Sequence, residues 1–254
     1  MAMNRASLLG RTLATLPALL LGAALAFAAA AASAQSRPVT VVELFTSQGC
    51  SSCPPSDAFL GELSKRPDIV ALSYHVDYWD YIGWRDPFAT REFTERQRGY
   101  ARSLRQRYVY TPEMVVHGRG HASGIDRSDI YRLISESQKP EWPRMAPQIV
   151  DRGAEGIVVT MPEFRAPEPC EVWLVTYDPE HRTKVLRGEN RGRDLSNYNV
   201  VRSLHLLTRW DGSPTELRIG SDRLGAAKGV AILVQHPGLG PMMGAAALTR
   251  ASAN

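Results

Sequence analysis

Cysteine is scarce in this chain of 254 residues, with only Cys50, Cys53 and Cys170. So few thiols exclude a disulfide-stapled scaffold, and a packed core must hold the fold instead. A four-ligand structural zinc centre is disfavoured as well, because no second Cys pair exists. Beyond the N-terminal region no stretch is apolar enough to span a bilayer. A large excess of one charge is also missing. Lys and Arg exceed Asp and Glu by 30 to 26, a formal +4, and removing residues 1–34 takes away Arg5 and Arg11 but no acid, which leaves +2. Nothing in that balance calls for nucleic acid, whose partners usually gather a strong basic excess on one face. Internal repeats and low-complexity tracts are absent after the N-terminus.

The N-terminus supplies what the rest lacks. Arg5 and Arg11 precede an apolar run from Leu13 to Ala32, followed by Ala32-Ser33-Ala34. That order is expected of a secretory signal peptide, residues 1–34, with the mature chain starting near Gln35 in the periplasm or outside the cell. The run approaches the roughly 20 residues of a spanning helix. Pro17 and the small residues at its end favour cleavage over anchoring, so no stable membrane span is expected afterwards.

Val39 to Thr46 is β-branched and apolar, as a buried strand would be, and Ser47-Gln48-Gly49 breaks it just before Cys50. Pro54 and Pro55 suit the first turn of a helix whose stripe is Phe59, Leu60 and Leu63. Ile69 to Val76 reads as a second strand, giving a βαβ unit with parallel strands. After the aromatic stretch Tyr78 to Trp84, Asp86 and Pro87 are expected to start a helix running to about Arg107. Its arginines read as a solvated face. Met114 to His117 and His121 to Ile125 form an expected hairpin opened by Pro112, and Ser128 an expected helix cap.

Three prolines between Lys139 and Pro147 suggest a linker. Beyond it lie short β-rich runs: 157–160, 172–177, 183–186, 200–207, 217–219 and 230–235. The expected fold class is therefore α/β, with a first domain over 38–140 and a smaller β-rich, sandwich-like domain over 155–254.

Cys50-Ser51-Ser52-Cys53 carries the chemistry. At a helix N-terminus, unsatisfied N–H groups and the helix dipole stabilise a thiolate. Lowered thiol pKa values, roughly 3.5 to 7.5 in such motifs, keep it populated at neutral pH. Cys50 is the expected nucleophile, and Cys53 would resolve the mixed disulfide. As a purely structural bond the pair would contribute only about 2 kcal/mol, because the loop it closes is so short. The alternative is a non-catalytic binding module, such as a Cu(I) chaperone using both thiolates with His75 or His117. No organic cofactor is implied. The polar residues Asn190, Arg191, Arg193, Asn197, Asn199 and Arg202 read as turn and interdomain hydrogen bonding, and Cys170 as a small buried residue.

The order strand, CxxC, helix, strand, helix, Thr-Pro, hairpin, helix resembles the thioredoxin-like superfamily over Pro38 to Gln138. The resemblance implies a cis peptide before Pro112 beside the dithiol, with the Thr111 backbone pairing with a bound substrate chain. Thr111 and Pro112 are thus candidate substrate-binding residues. Four segments are similar to one family of exported thioredoxin-like proteins, the domain of unknown function 1223 family: ELFTSQGCSSCPPSD at 43–57, HVDYWDYIGWRDPF at 75–88, YTPEMVVHG at 110–118 and GENRGRDLSNYNVVRSL at 188–204. What this implies is a candidate thiol–disulfide oxidoreductase acting on protein thiols or disulfides, with no settled substrate.

Overall fold

The computed structural model describes residues 37–250, so the expected signal peptide and the last four residues lie outside it. Strand β1 (Thr40–Thr46) and strand β2 (Ile69–His75) are buried at every position and pair in parallel, from Thr40 opposite Ile69 to Thr46 opposite His75. Continuous apolar or β-branched runs are what a strand covered on both faces requires. Between them helix α1 (Pro54–Leu63) buries Phe59, Leu60 and Leu63 against Val42, Leu44, Ile69 and Ala71.

Helix α2 spans Arg91–Ser103. It starts four residues later than Pro87, because Thr90 and not Asp86 is the N-cap: Thr90 Oγ1 accepts from Phe93 N at 3.2 Å. Asp86 is buried and engaged elsewhere. The helix also stops short of Arg107, at Ser103, with Arg105 in the left-handed region at φ 56°. Its face is not uniformly solvated. Arg96 is buried, donating to Glu43 Oε1 at 2.8 Å and to Gln235 Oε1 at 3.2 Å, while the Tyr100 hydroxyl donates to Glu43 Oε2. A buried ion pair of this kind holds only where its remaining donors and acceptors are satisfied, as they are here.

Strands β3 (Glu113–Val116) and β4 (Gly120–Ser123) form the expected hairpin, and β3 pairs antiparallel with β1. His117 and Gly118 at its tip both have positive φ, 53° and 63°, the signature of a turn matched to strand twist. Helix α3 (Arg127–Ser137) begins one residue before Ser128, because Asp126 is the cap and accepts from Asp129 N at 3.0 Å.

The chain continues through β5 (Gln148–Asp151), β6 (Ile157–Met161), β7 (Cys170–Lys184), β8 (Asp194–Trp210), β9 (Thr215–Ile219), the short α4 (Ser221–Leu224), β10 (Gly229–Gln235) and β11 (Met242–Thr249). The run at 172–177 and the first two residues of 183–186 belong to one long strand, β7, zipped antiparallel to β8 and ending at Lys184. Eight strands make one sheet in the order β11-β10-β7-β8-β2-β1-β3-β4, and β5-β6-β9 make a second. The large sheet passes from segment 38–140 into segment 155–254 where β8 joins β2 in parallel, Ser73 opposite Val200. Pairing there covers the edge of β2 at that point.

The β-rich part is layered. Ile157, Val159 and Met161 of the small sheet pack on Cys170, Val172, Leu174, Ile232 and Val234 of the large one. On the opposite face Val175, Ala231 and Leu233 meet Phe45, Tyr74, Phe93 and Tyr100. This alternation along β7 and β10 follows the two-residue period of a strand. The architecture is mixed α/β, and no helix among the described residues is long and apolar enough to cross a membrane.

Candidate dithiol site

The end of β1 turns sharply at Ser47, where Cys50 N donates to Ser47 O at 3.1 Å. Gly49 lets the turn pack closely on Trp79, since a Cβ there would lie 3.1 Å from Trp79 Cβ and 3.3 Å from Trp79 O. Cys53 is the N-cap of α1, and its carbonyl accepts from Ser56 N and Asp57 N at 2.9 and 3.1 Å. Pro54 and Pro55 cost nothing at the first helical positions, where N–H groups lack helical acceptors anyway. The sulfurs of Cys50 and Cys53 lie at disulfide distance, with their Cα atoms 5.5 Å apart.

Thr111 and Pro112 face this turn. Their peptide bond is cis, and the Thr111 carbonyl oxygen lies 3.9 Å from Cys50 Sγ. Ser52 Oγ is 3.3 Å from the same sulfur, placed to donate to a thiolate. Trp79 Nε1 donates to Thr111 Oγ1 at 2.7 Å, and Gln97 Nε2 donates to Tyr110 O at 2.7 Å, so the segment is held from both sides. The aromatic stretch therefore serves the site through hydrogen bonds, with Trp84 Nε1 also donating to Gln48 Oε1 at 3.2 Å. Of its aromatic side chains only Tyr81 is largely exposed.

The β7–β8 hairpin completes the site. Asn190, fully buried, donates through Nδ2 to both Gln48 O and Cys50 O at 2.9 Å. Arg193 Nη1 donates to Asn190 Oδ1 at 3.0 Å and fixes the amide, while Ser51 N donates to Glu189 Oε2 at 3.3 Å. Cys50 is only 1 % exposed beneath this arrangement. Among the polar residues of that hairpin, Asn190, Arg193 and Asn197 belong to the site; Asn199 instead donates to Ala71 O and Arg202 lies over Phe88.

Below the dithiol turn lies a buried polar cluster. His75 Nδ1 and Asp86 Oδ2 are 2.7 Å apart, and Asp86 Oδ2 also accepts from Gln48 N at 2.7 Å. Gln48 Nε2 donates to Asn197 Oδ1 and Thr183 Oγ1, both at 3.0 Å. Asp57, one helical turn beyond Cys53, has its pKa pushed up to about 7 by burial, against the lowering influence of His75 and Thr46. Burial alone would depress His75, yet the charge and hydrogen bond of Asp86 and the charge of Asp57 carry it above the ordinary imidazole value. Asp86 is held low despite burial, by His75 and by the Gln48 and Phe88 N–H groups. Thr46 Oγ1, Asp57 Oδ1, His75 Nε2 and Asn197 Nδ2 are all buried without a direct hydrogen-bond partner. A cluster with spare donors and acceptors and a carboxyl poised near neutrality can take up and release a proton.

Sequence reasoning named the two cysteines, Thr111 and Pro112, and the structure brings these four together. It missed Gln48, Asp57 and Asp86. A signal existed for Asp57: positions 53, 57 and 60 fall on one helical face, so an acid there shares the buried side with Leu60. His117 is separate, its Nδ1 accepting from Val41 N at 3.3 Å. Among the described residues no group of three or more His, Cys, Asp and Glu is arranged to hold a metal ion. Cys170 is buried in β7 between the two sheets.

Fold and site together define a mixed α/β protein with a Cys-x-x-Cys pair at a strand-to-helix turn. The chain belongs to the family described as protein of unknown function (DUF1223), whose model matches residues 41–235. It is similar to a crystallographically solved protein of Agrobacterium tumefaciens, with 31% identity, a TM-score of 0.76, and coverage of 86% of this chain and 97% of that one. It is also similar to HBP35 of Porphyromonas gingivalis, at 13% identity and a TM-score of 0.59, over 86% of this chain and 77% of that one, a likeness of fold alone. No curated protein matches.

Proposed function

We propose that this chain is an exported thioredoxin-like thiol–disulfide oxidoreductase that exchanges electrons with protein thiols through Cys50 and Cys53. The carrying observation is the cysteine pair at the N-terminus of α1 with the Thr111 carbonyl 3.9 Å from Cys50 Sγ. In the reducing direction the Cys50 thiolate attacks a substrate disulfide, forming a Cys50 mixed disulfide and releasing one substrate thiolate. Cys53 then loses its proton and attacks Cys50 Sγ. The Cys50–Cys53 disulfide forms, the second substrate thiolate leaves, and the substrate has gained two electrons that the dithiol lost. Asp57 accepts the Cys53 proton. The reverse sequence oxidises a substrate dithiol by the same bonds. Export rests on the N-terminal charge, apolar run and Ala-Ser-Ala of the sequence.

The test is a Cys53→Ser variant expressed with residues 1–34 intact. Exchange predicts mixed disulfides between Cys50 and exported proteins, released by reductant and absent in a Cys50→Ser/Cys53→Ser double variant. Absence of any trapped partner, in either redox direction, rejects the proposal.

A further inference from the structure

A cavity of about 390 Å³ opens between α3, the β3–β4 hairpin, the end of α2 and the β10–β11 turn, and shares no lining residue with the dithiol site. Its walls include Leu104, Arg119, Leu133, Glu136, Ser137 and Trp142. The Arg119 guanidinium stacks 3.8 Å from the centre of the Trp142 ring, which leaves its in-plane donors unused. Arg119 Nε is buried and makes no hydrogen bond. Arg144 stands close by, its Nη1 reaching Thr40 Oγ1 at 3.5 Å, and that hydroxyl lies 3.0 Å from Ser137 Oγ on the cavity wall.

What the two arginines lack is an anionic partner. Glu136 is the one carboxylate on the wall, and it is already taken by Arg132 Nη1 at 3.0 Å. Among the described residues no carboxylate pairs with Arg119 or Arg144. Burial and the charge of Arg144 both lower the Arg119 pKa, with no acid acting to raise it. His117, between the wall residues Val116 and Gly118, adds to the pattern. Its Nδ1 accepts from Val41 N, which puts its hydrogen on Nε2, and that donor is buried and unpartnered. Burial and the two arginines hold His117 neutral, its pKa pushed down to about 3. Half-buried cations without a counter-charge cost free energy that a bound anion recovers.

We infer that this cavity binds a small oxyanion, a carboxylate or phosphate group, in the fork of Arg119 assisted by Arg144. The apolar walls at Leu104 and Leu133 accommodate the hydrocarbon part of such a ligand. The inference is independent of the dithiol chemistry.

Isothermal titration of the full chain with inorganic phosphate and, separately, with benzoate tests it. Saturable binding of at least one probe is expected, weakened at least about tenfold in Arg119→Gln and in Arg144→Gln and unchanged in Arg218→Gln, a charge loss on the far sheet. A response to phosphate alone assigns a phosphoryl ligand, and one to benzoate alone a carboxylate ligand. Circular dichroism of each variant checks that it folds, and the two arginines, on different segments, give independent readings. Failure of both probes to bind the wild type, or equal binding by all variants, overturns the inference.

Discussion

Replacing Asp57 by Asn separates the stability of the buried cluster from its chemistry. Asp57 is buried within α1, and burial raises its pKa from 3.8 to about 7. The folded state therefore holds this proton more tightly than the unfolded chain does. The stability it contributes is fully present below about pH 4 and is lost as pH rises through about 7. Holding the proton from 3.8 up to about 7 corresponds to on the order of 4 kcal/mol. Asn mimics the protonated carboxyl at every pH. Asp57→Asn should therefore match the wild type near about pH 4 and exceed it by up to about 4 kcal/mol near pH 8, a figure already net of the attraction between Asp57 and His75. Urea unfolding of the oxidised protein across that range measures the difference. A stability difference that stays flat from about pH 4 to about pH 8 would refute the reasoning, because it would mean that Asp57 titrates alike in the folded and unfolded states. The same variant should resolve a Cys50–glutathione mixed disulfide at least about tenfold more slowly, while alkylation of Cys50 keeps its rate.

Asn190→Ala removes the donor shared by the Gln48 and Cys50 carbonyls and should cost about 1 to 3 kcal/mol, with faster reduction of the Cys50–Cys53 pair by a small phosphine. Thr90→Ala deletes the α2 cap and should cost about 1 kcal/mol in a denaturant midpoint assay. Gly118→Ala puts a methyl 2.4 Å from Gly240 O at φ 63°, and should lower the melting temperature by the equivalent of at least about 2 kcal/mol. An unchanged melting temperature in Gly118→Ala would mean that the hairpin tip does not pack on the β10–β11 turn.

Local sequence determined the elements whose pattern is self-contained. β1 and β2 are largely apolar or β-branched runs, interrupted by Glu43 in the first and by Ser73 and His75 in the second, α1 has prolines at its start and a 3.6-period stripe, and the Cys-x-x-Cys spacing sits directly before those prolines. Helix starts were less legible, because two neighbouring residues can each cap. Asp86 satisfies every local rule for an N-cap, yet it caps only a single turn, its Oδ1 accepting from Phe88 N at 3.0 Å while Oδ2 is held by His75 and Gln48 N, and the helix itself starts after Thr90. Strand β11, rich in Ala and Gly, has little β-propensity of its own and forms because β10 offers a free ladder along Gly229–Gln235. The continuity of the large sheet through Ser73 and Val200 likewise depends on residues more than a hundred positions apart.

The site divides in the same way. The dithiol's identity and its helix position are properties of the short run from Ser47 to Pro55. Its depth of burial, the Asn190 contacts and the elevated pKa of Asp57 arise only when β7 and β8 fold back over that turn. Desolvation and hydrogen bonding depend on which distant groups exclude water, and no local pattern encodes that.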